Sequence, residues 1–169
     1  KCICDLFEPE FAAMFVCDHI NNEVFNVATK EAECIEGVTL PFGKGFVGTV
    51  AETGRSLLTE NAYNDPRFCR HVDSVTGQLT KSVLCLPIPG FQRNSRPVAV
   101  FQVINRGNGK SFSEEDEQAM ASICNELSLL LRWKSTELND LRHRIKRLHV
   151  LAHQTEDLEA SILREYGSS

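Results

Sequence analysis

The sequence predicts an α/β sandwich: one mixed or antiparallel sheet with helices packed on it, and a long helix at its C-terminal end. Three observations carry this. Strand-like runs come as a pair, then a single short run, then three more beyond a short helix, the last two strongly apolar. Glycines at 43, 45 and 48 open the short helix. No proline or glycine interrupts residues 113 to 166.

Each element follows from local chemistry. Phe11 to Cys17 (FAAMFVC) and Glu23 to Thr29 (EVFNVAT) flank the polar turn DHINN and read as a hairpin. Val38 to Pro41 is a short third strand. GKGFVG then opens a helix running to about Thr53 and closed by Gly54. Ser56 to Thr59 is a fourth strand. From Glu60 to Gly77 the pattern changes to turn residues and short helices, with Asn64, Asp65 and Pro66 starting a helical turn. A polar segment of this length between strands suits a functional lid. SVLCLPI (82–88) and PVAVFQVIN (97–105) suit strands buried on both faces. Ser113, followed by Glu114, Glu115, Asp116 and Glu117, is an N-cap with anions placed to complement a helix dipole. Met120, Ile123, Leu127, Leu130 and Leu131 continue that helix at helical spacing.

Composition excludes several classes. The chain has 169 residues, 42% hydrophobic and 24% charged, as ordinary globular domains do. No run is long and apolar enough for a membrane span. A net charge of -5 without a dense basic patch before residue 134 argues against a nucleic-acid surface. Seven irregularly spaced cysteines, several inside apolar runs, point to reduced thiols, a cytosolic setting and no metal site.

A helix from 113 to 166 would be roughly 80 Å long, against a radius of gyration of about 14 Å for a body of ~130 residues. The expected division is therefore a domain at 1–133 and a projecting linker helix at 134–166. Leu131, Leu138 and Ile145, together with Leu141 and Leu148, form a coiled-coil seam that implies a homodimer. Its phase shifts at Leu158 and Ile162, which hints at a second domain following.

GKGFVG fits the dinucleotide pattern G-x-G-x-x-G, but the strand before it is short and no second βαβ unit follows. A glycine turn at a helix start still exposes N–H groups able to hold a phosphate. The histidines and carboxylates form no catalytic set, so no enzymatic activity is expected of this stretch. Asp73, Thr76 and Thr80 would line one face of the lid, able to grip a polar heterocycle and sugar; the alternative is that Asp73 caps a short helix and the threonines are solvated.

The stretch from LPFGKGFVG through VLCLPI resembles the central part of the GAF domains of cyclic-nucleotide phosphodiesterases. The likeness continues through VAVFQVINRGNGKSFSEEDEQ, which is similar to that family's Asn-Lys…Phe-x-x-x-Asp-Glu motif, here Asn105, Arg106, Phe112, Asp116 and Glu117. It covers about residues 10 to 132. The resemblance implies a six-stranded antiparallel sheet with helices on both sides. It also implies a cyclic phosphate at the backbone of Phe46, Val47 and Gly48. Base and ribose would be held by Asp73, Thr76, Thr80 and Gln102, whose amide can pair with adenine or guanine. The motif would brace the pocket from outside through an Arg106–Asp116 salt bridge.

Four positions depart from the family pattern: Arg106 replaces lysine, Thr29-Lys30 stands where a Phe-Asp pair is common, and Ala13 replaces a serine common on the first strand. The resulting expectation is a regulatory domain binding cAMP slightly ahead of cGMP, with no other cofactor, controlling a downstream catalytic domain, a 3',5'-cyclic-nucleotide phosphodiesterase. The alternative is a ligand-free dimerisation scaffold.

Overall fold

The computed structural model describes residues 6–30, 37–70, 73, 79–90, 95–107 and 109–133. All belong to one compact unit, residues 1–133. Thr76 and the helix expected at 134–166 lie outside the described residues.

Six strands form one sheet: β1 (Pro9–Asp18), β2 (Glu23–Lys30), β3 (Thr39–Pro41), β4 (Leu57–Thr59), β5 (Val83–Ile88) and β6 (Ala99–Arg106). Their spatial order is β3-β2-β1-β6-β5-β4, and every neighbouring pair is antiparallel. The short helix α1 is Gly45–Thr53 and the long helix α2 is Glu114–Trp133.

The hairpin forms because Asp18 accepts hydrogen bonds from the N–H groups of Ile20 and Asn21, at 3.0 and 3.3 Å, fixing the turn after β1. Further along, β2 carries one extra residue: Met14 pairs with Ala28 but Phe15 pairs with Asn26. The bulge frees two carbonyls, and the Asn26 side-chain amide donates to both, those of Met14 and Ala28, at 3.3 Å each. α1 stops at Gly54, whose φ of 67° is the left-handed conformation a C-cap needs and whose N–H closes on Val50 O at 2.9 Å.

The sheet is the middle layer, because strand side chains alternate between faces. Phe11, Ala13, Phe15 and Cys17 of β1 join Val47, Val50 and Ala51 of α1 in one core. Ala12 of β1 joins Leu84, Leu86, Phe101, Phe112, Met120 and Cys124 in a second core beneath α2. β5 is buried on both faces, Val83 and Cys85 toward α1, Leu84 and Leu86 toward α2. Burial pushes the Cys17 and Cys124 thiols up to about 12, and holds Cys85 well above its ordinary value. These three are inert apolar filling.

The segment after β4 differs from expectation in one detail. The helical turn is a 3-10 turn at Ala62–Asn64, before Pro66 rather than after it. Asp65 Oδ1 takes both the N–H and the Nε of Arg67 at 2.9 Å, so this stretch closes as an Asx turn.

Candidate functional site

A cavity of about 130 Å3 lies on the α1 face of the sheet. Its floor is Phe11 and Phe15 of β1 with Gln102 and Ile104 of β6. Val38 and Leu40 wall one side, the start of α1 (Lys44 to Val47) another, and Phe68, Cys69, Asp73 and Thr80 are the further lining residues among those described. The lining is mainly aromatic and aliphatic, with few polar groups, as small-molecule sites usually are.

Gln102 sits at the centre of the floor because β6 is central and residues 100, 102 and 104 share its α1 face. It is 8% exposed, and its amide forms no hydrogen bond among the described residues. Its neighbours in register are Ala13 on β1 and Cys85 on β5. Thr29 pairs with Ala13 one strand further out. Ala13 and Thr29 thus share a row with Gln102, but neither lines the cavity.

Asp73 and Thr80 form a clasp. The Asp73 carboxylate accepts the Thr80 hydroxyl at 2.6 Å and the Thr80 N–H at 2.7 Å. The Tyr63 hydroxyl donates to the same carboxylate at 3.0 Å, and this bond, with burial and the adjacent negative charge, raises the Tyr63 phenol above its ordinary value. The Tyr63 ring tilts against Phe68, which stacks on Phe46. Arg70 lies over the Tyr63 ring, 5.1 Å from its centre. Nothing in the local sequence pattern singles out Tyr63 or Phe68, since their partners are brought together only in space.

The glycine turn shapes the start of α1. Gly43 and Gly45 have φ of 76° and 63°, conformations that side chains resist. Gly48 is glycine for a different reason: a Cβ there would lie 2.5 Å from Pro41 O. Its N–H is bonded to Lys44 O at 3.1 Å. Of the three amides expected to meet a phosphate, those of Phe46 and Val47 are free among the described residues, while that of Gly48 is taken. Lys44, absent from the sequence expectation, lines the cavity here.

The Asn105 to Glu117 stretch lies outside the cavity. Asn105 has φ of 50°, which asparagine tolerates better than most residues. Its Oδ1 accepts from Lys81 N and Ser82 N, at 2.8 and 3.3 Å. Its Nδ2 donates to Glu10 at 2.7 Å and to Leu79 O at 2.8 Å. Backbone on both sides of Thr80 is therefore tied to one side chain. Arg106 Nη1 lies 2.6 Å from Asp116 Oδ2, which also accepts the Ser113 N–H at 2.9 Å. Phe112 is buried under α2, and Glu117 accepts a hydrogen bond from Ser56 next to β4.

The model of the GAF domain family matches residues 3–131. The chain belongs to the GAF domain family. Over 93 residues, 55% of the chain, this GAF domain is 41% identical to the dual 3',5'-cyclic-AMP and -GMP phosphodiesterase 11 of Drosophila melanogaster. Over 125 residues, 68% of the chain, it is 36% identical to a probable 3',5'-cyclic phosphodiesterase of Caenorhabditis elegans. It spans 6% of the first relative's length and 17% of the second's. Among solved structures, the GAF domain of an Acinetobacter phosphoenolpyruvate-protein phosphotransferase superimposes with a TM-score of 0.66 at 22% identity, covering 81% of this chain and 79% of that one. This likeness extends the six-stranded antiparallel sheet and its helices to a known fold. No helix among the described residues is long and apolar enough to cross a membrane.

Proposed function

We propose that this GAF domain is a regulatory module that binds a cyclic purine nucleotide, cAMP slightly ahead of cGMP, and controls a downstream 3',5'-cyclic-nucleotide phosphodiesterase domain of a cytoplasmic protein. The observation that carries it is Gln102, a buried and unbonded amide on the floor of a cavity otherwise walled mainly by carbon. Phosphodiesterase relatives supply the ligand class. The phosphate goes to the first turn of α1, at Phe46 and Val47, and the base to Gln102. Asp73, Thr76 and Thr80 belong to the cover. The motif from Asn105 to Glu117 braces that cover without touching the ligand.

Adenine is favoured because the wall offers few unbonded polar partners. Guanine brings, besides an amino group like adenine's, a carbonyl and a ring N–H that must stay satisfied when buried, and an unmatched one costs roughly 1–3 kcal/mol. Ligand burial tightens the segment from Asn61 to Thr80, and α2 carries the change onward; this requires different affinities for two arrangements.

Calorimetry of the chain with cAMP and with cGMP, repeated on Asp73→Ala, tests the reading. Saturable binding lost in the variant supports it. Absence of heat with either nucleotide moves the assignment to a dimerisation scaffold. That second reading draws on two observations: the cavity, about 130 Å3, is below the roughly 300 Å3 usual for ligand pockets, and Asp73 and Thr80 already satisfy each other.

A further inference from the structure

Lys44 occupies the end of the cavity where α1 begins. It is the N-cap residue of α1, its side chain makes no capping bond, and no acidic residue lies in the first turn. Among the described residues it forms no ion pair. The N–H groups of Gly45, Phe46 and Val47 have no helical carbonyl to bond, as at any helix start. Lys44 and the free amides at the positive end of a helix dipole therefore line one corner of the cavity, and the carboxylate of Glu52 lies on the Gly43 side of the turn rather than in the lining.

A second observation, independent of the helix, points to a ligand in the same cavity. Gln102 is 8% exposed, and its amide is unbonded among the described residues. It lines the cavity, so a molecule inside the cavity can reach it. Asp73, the one acidic residue of the lining among the described residues, is engaged by Thr80 and Tyr63. An anionic group entering this cavity is thus repelled from the Asp73 side and attracted to the Lys44 side.

We propose that Lys44 is a specificity-determining residue that reads the charge of the ligand, so that the site takes a monoanionic phosphodiester and discriminates against the neutral nucleoside. The inference deepens the cyclic-nucleotide reading and rests on it. Lys44 and the amides of α1 hold the phosphate, and Gln102 meets the base. Charge, rather than base contact alone, then sets the affinity.

The test uses the whole 169-residue chain, titrated calorimetrically with cAMP, cGMP, adenosine and guanosine, alongside Lys44→Met and Lys44→Arg. Lys44→Met is expected to weaken cyclic-nucleotide binding roughly 10- to 150-fold, as loss of one charged hydrogen bond does. Lys44→Arg should retain most of the affinity, and nucleoside binding should not change. Added salt should weaken nucleotide binding less in Lys44→Met than in the parent chain. Unchanged nucleotide affinity in Lys44→Met overturns the assignment and leaves the nucleotide reading standing. A parallel loss of nucleoside binding also overturns it, since Lys44 would then act through local structure. A parent chain that binds neither nucleotide overturns both.

Discussion

Asp73 accepts three hydrogen bonds from two residues, and this concentration makes it the most consequential single side chain of the cover. Asp73→Ala leaves the Tyr63 hydroxyl and the Thr80 hydroxyl and N–H without their partner. A stability loss of about 1–3 kcal/mol is expected, read by denaturant unfolding, together with loss of nucleotide heat in calorimetry. Tyr63 reports on the same clasp. Its phenol is raised above its ordinary value first by the bond to Asp73. A raised folded value means its contribution is present below the ordinary value of about 10 and lost as pH rises past the folded one. Ultraviolet titration of phenolate should therefore show a late component that Tyr63→Phe removes. Asn105→Ala combines two penalties, unsatisfied backbone groups at residues 79, 81 and 82 and a left-handed φ unsuited to alanine. About 2–3 kcal/mol is expected in the same unfolding experiment.

At the scale of elements, the two helices are held to the sheet by different means. α1 comes close to β3, its Gly48 sitting where a methyl group would meet Pro41 O at 2.5 Å. Gly48→Ala should lower stability by about 1–3 kcal/mol through forced displacement of α1, visible as a lower melting temperature. A control at Gly45, where a Cβ meets nothing within 4 Å, separates crowding from φ strain. α2 is anchored at its first turn, where Asp116 both caps the helix through the Ser113 N–H and pairs with Arg106. Both side chains remain partly exposed, so the ion pair alone is worth little. Asp116→Ala is expected to cost about 1–2 kcal/mol, most of it through the lost cap.

For the molecule as a whole, the two cores on opposite faces of one sheet make β1 and β6 the shared wall between the cavity and α2. Gln102 faces the cavity, and its neighbours Phe101 and Val103 face α2. In the proposed function, a ligand on one face and the helix on the other bias one another through these two central strands. The proposed homodimer belongs to this scale. Light scattering should find a dimer for the 169-residue chain and a monomer for residues 1–133; a dimeric 1–133 would move the interface onto the GAF domain itself.

Strand order along the chain, the short helix at the glycine cluster and the Ser113 helix were legible in the sequence because each rests on local rules: alternation, φ preference, capping. The antiparallel partnership of all six strands came from resemblance, since pairing joins residues as distant as Ala13 and Gln102. The bulge at Asn26 and the 3-10 turn before Pro66 escaped, because each depends on a hydrogen bond that periodicity does not encode. The same holds within the cavity. The residue pattern singled out Asp73 and Thr80, and the family resemblance added Gln102. Only tertiary structure decided that Asp73 and Thr80 grip each other, that Gln102 stands unbonded, and that Tyr63, Phe68 and Lys44 surround them. Polar side chains declare what they can bond; packing declares which of those bonds are already made.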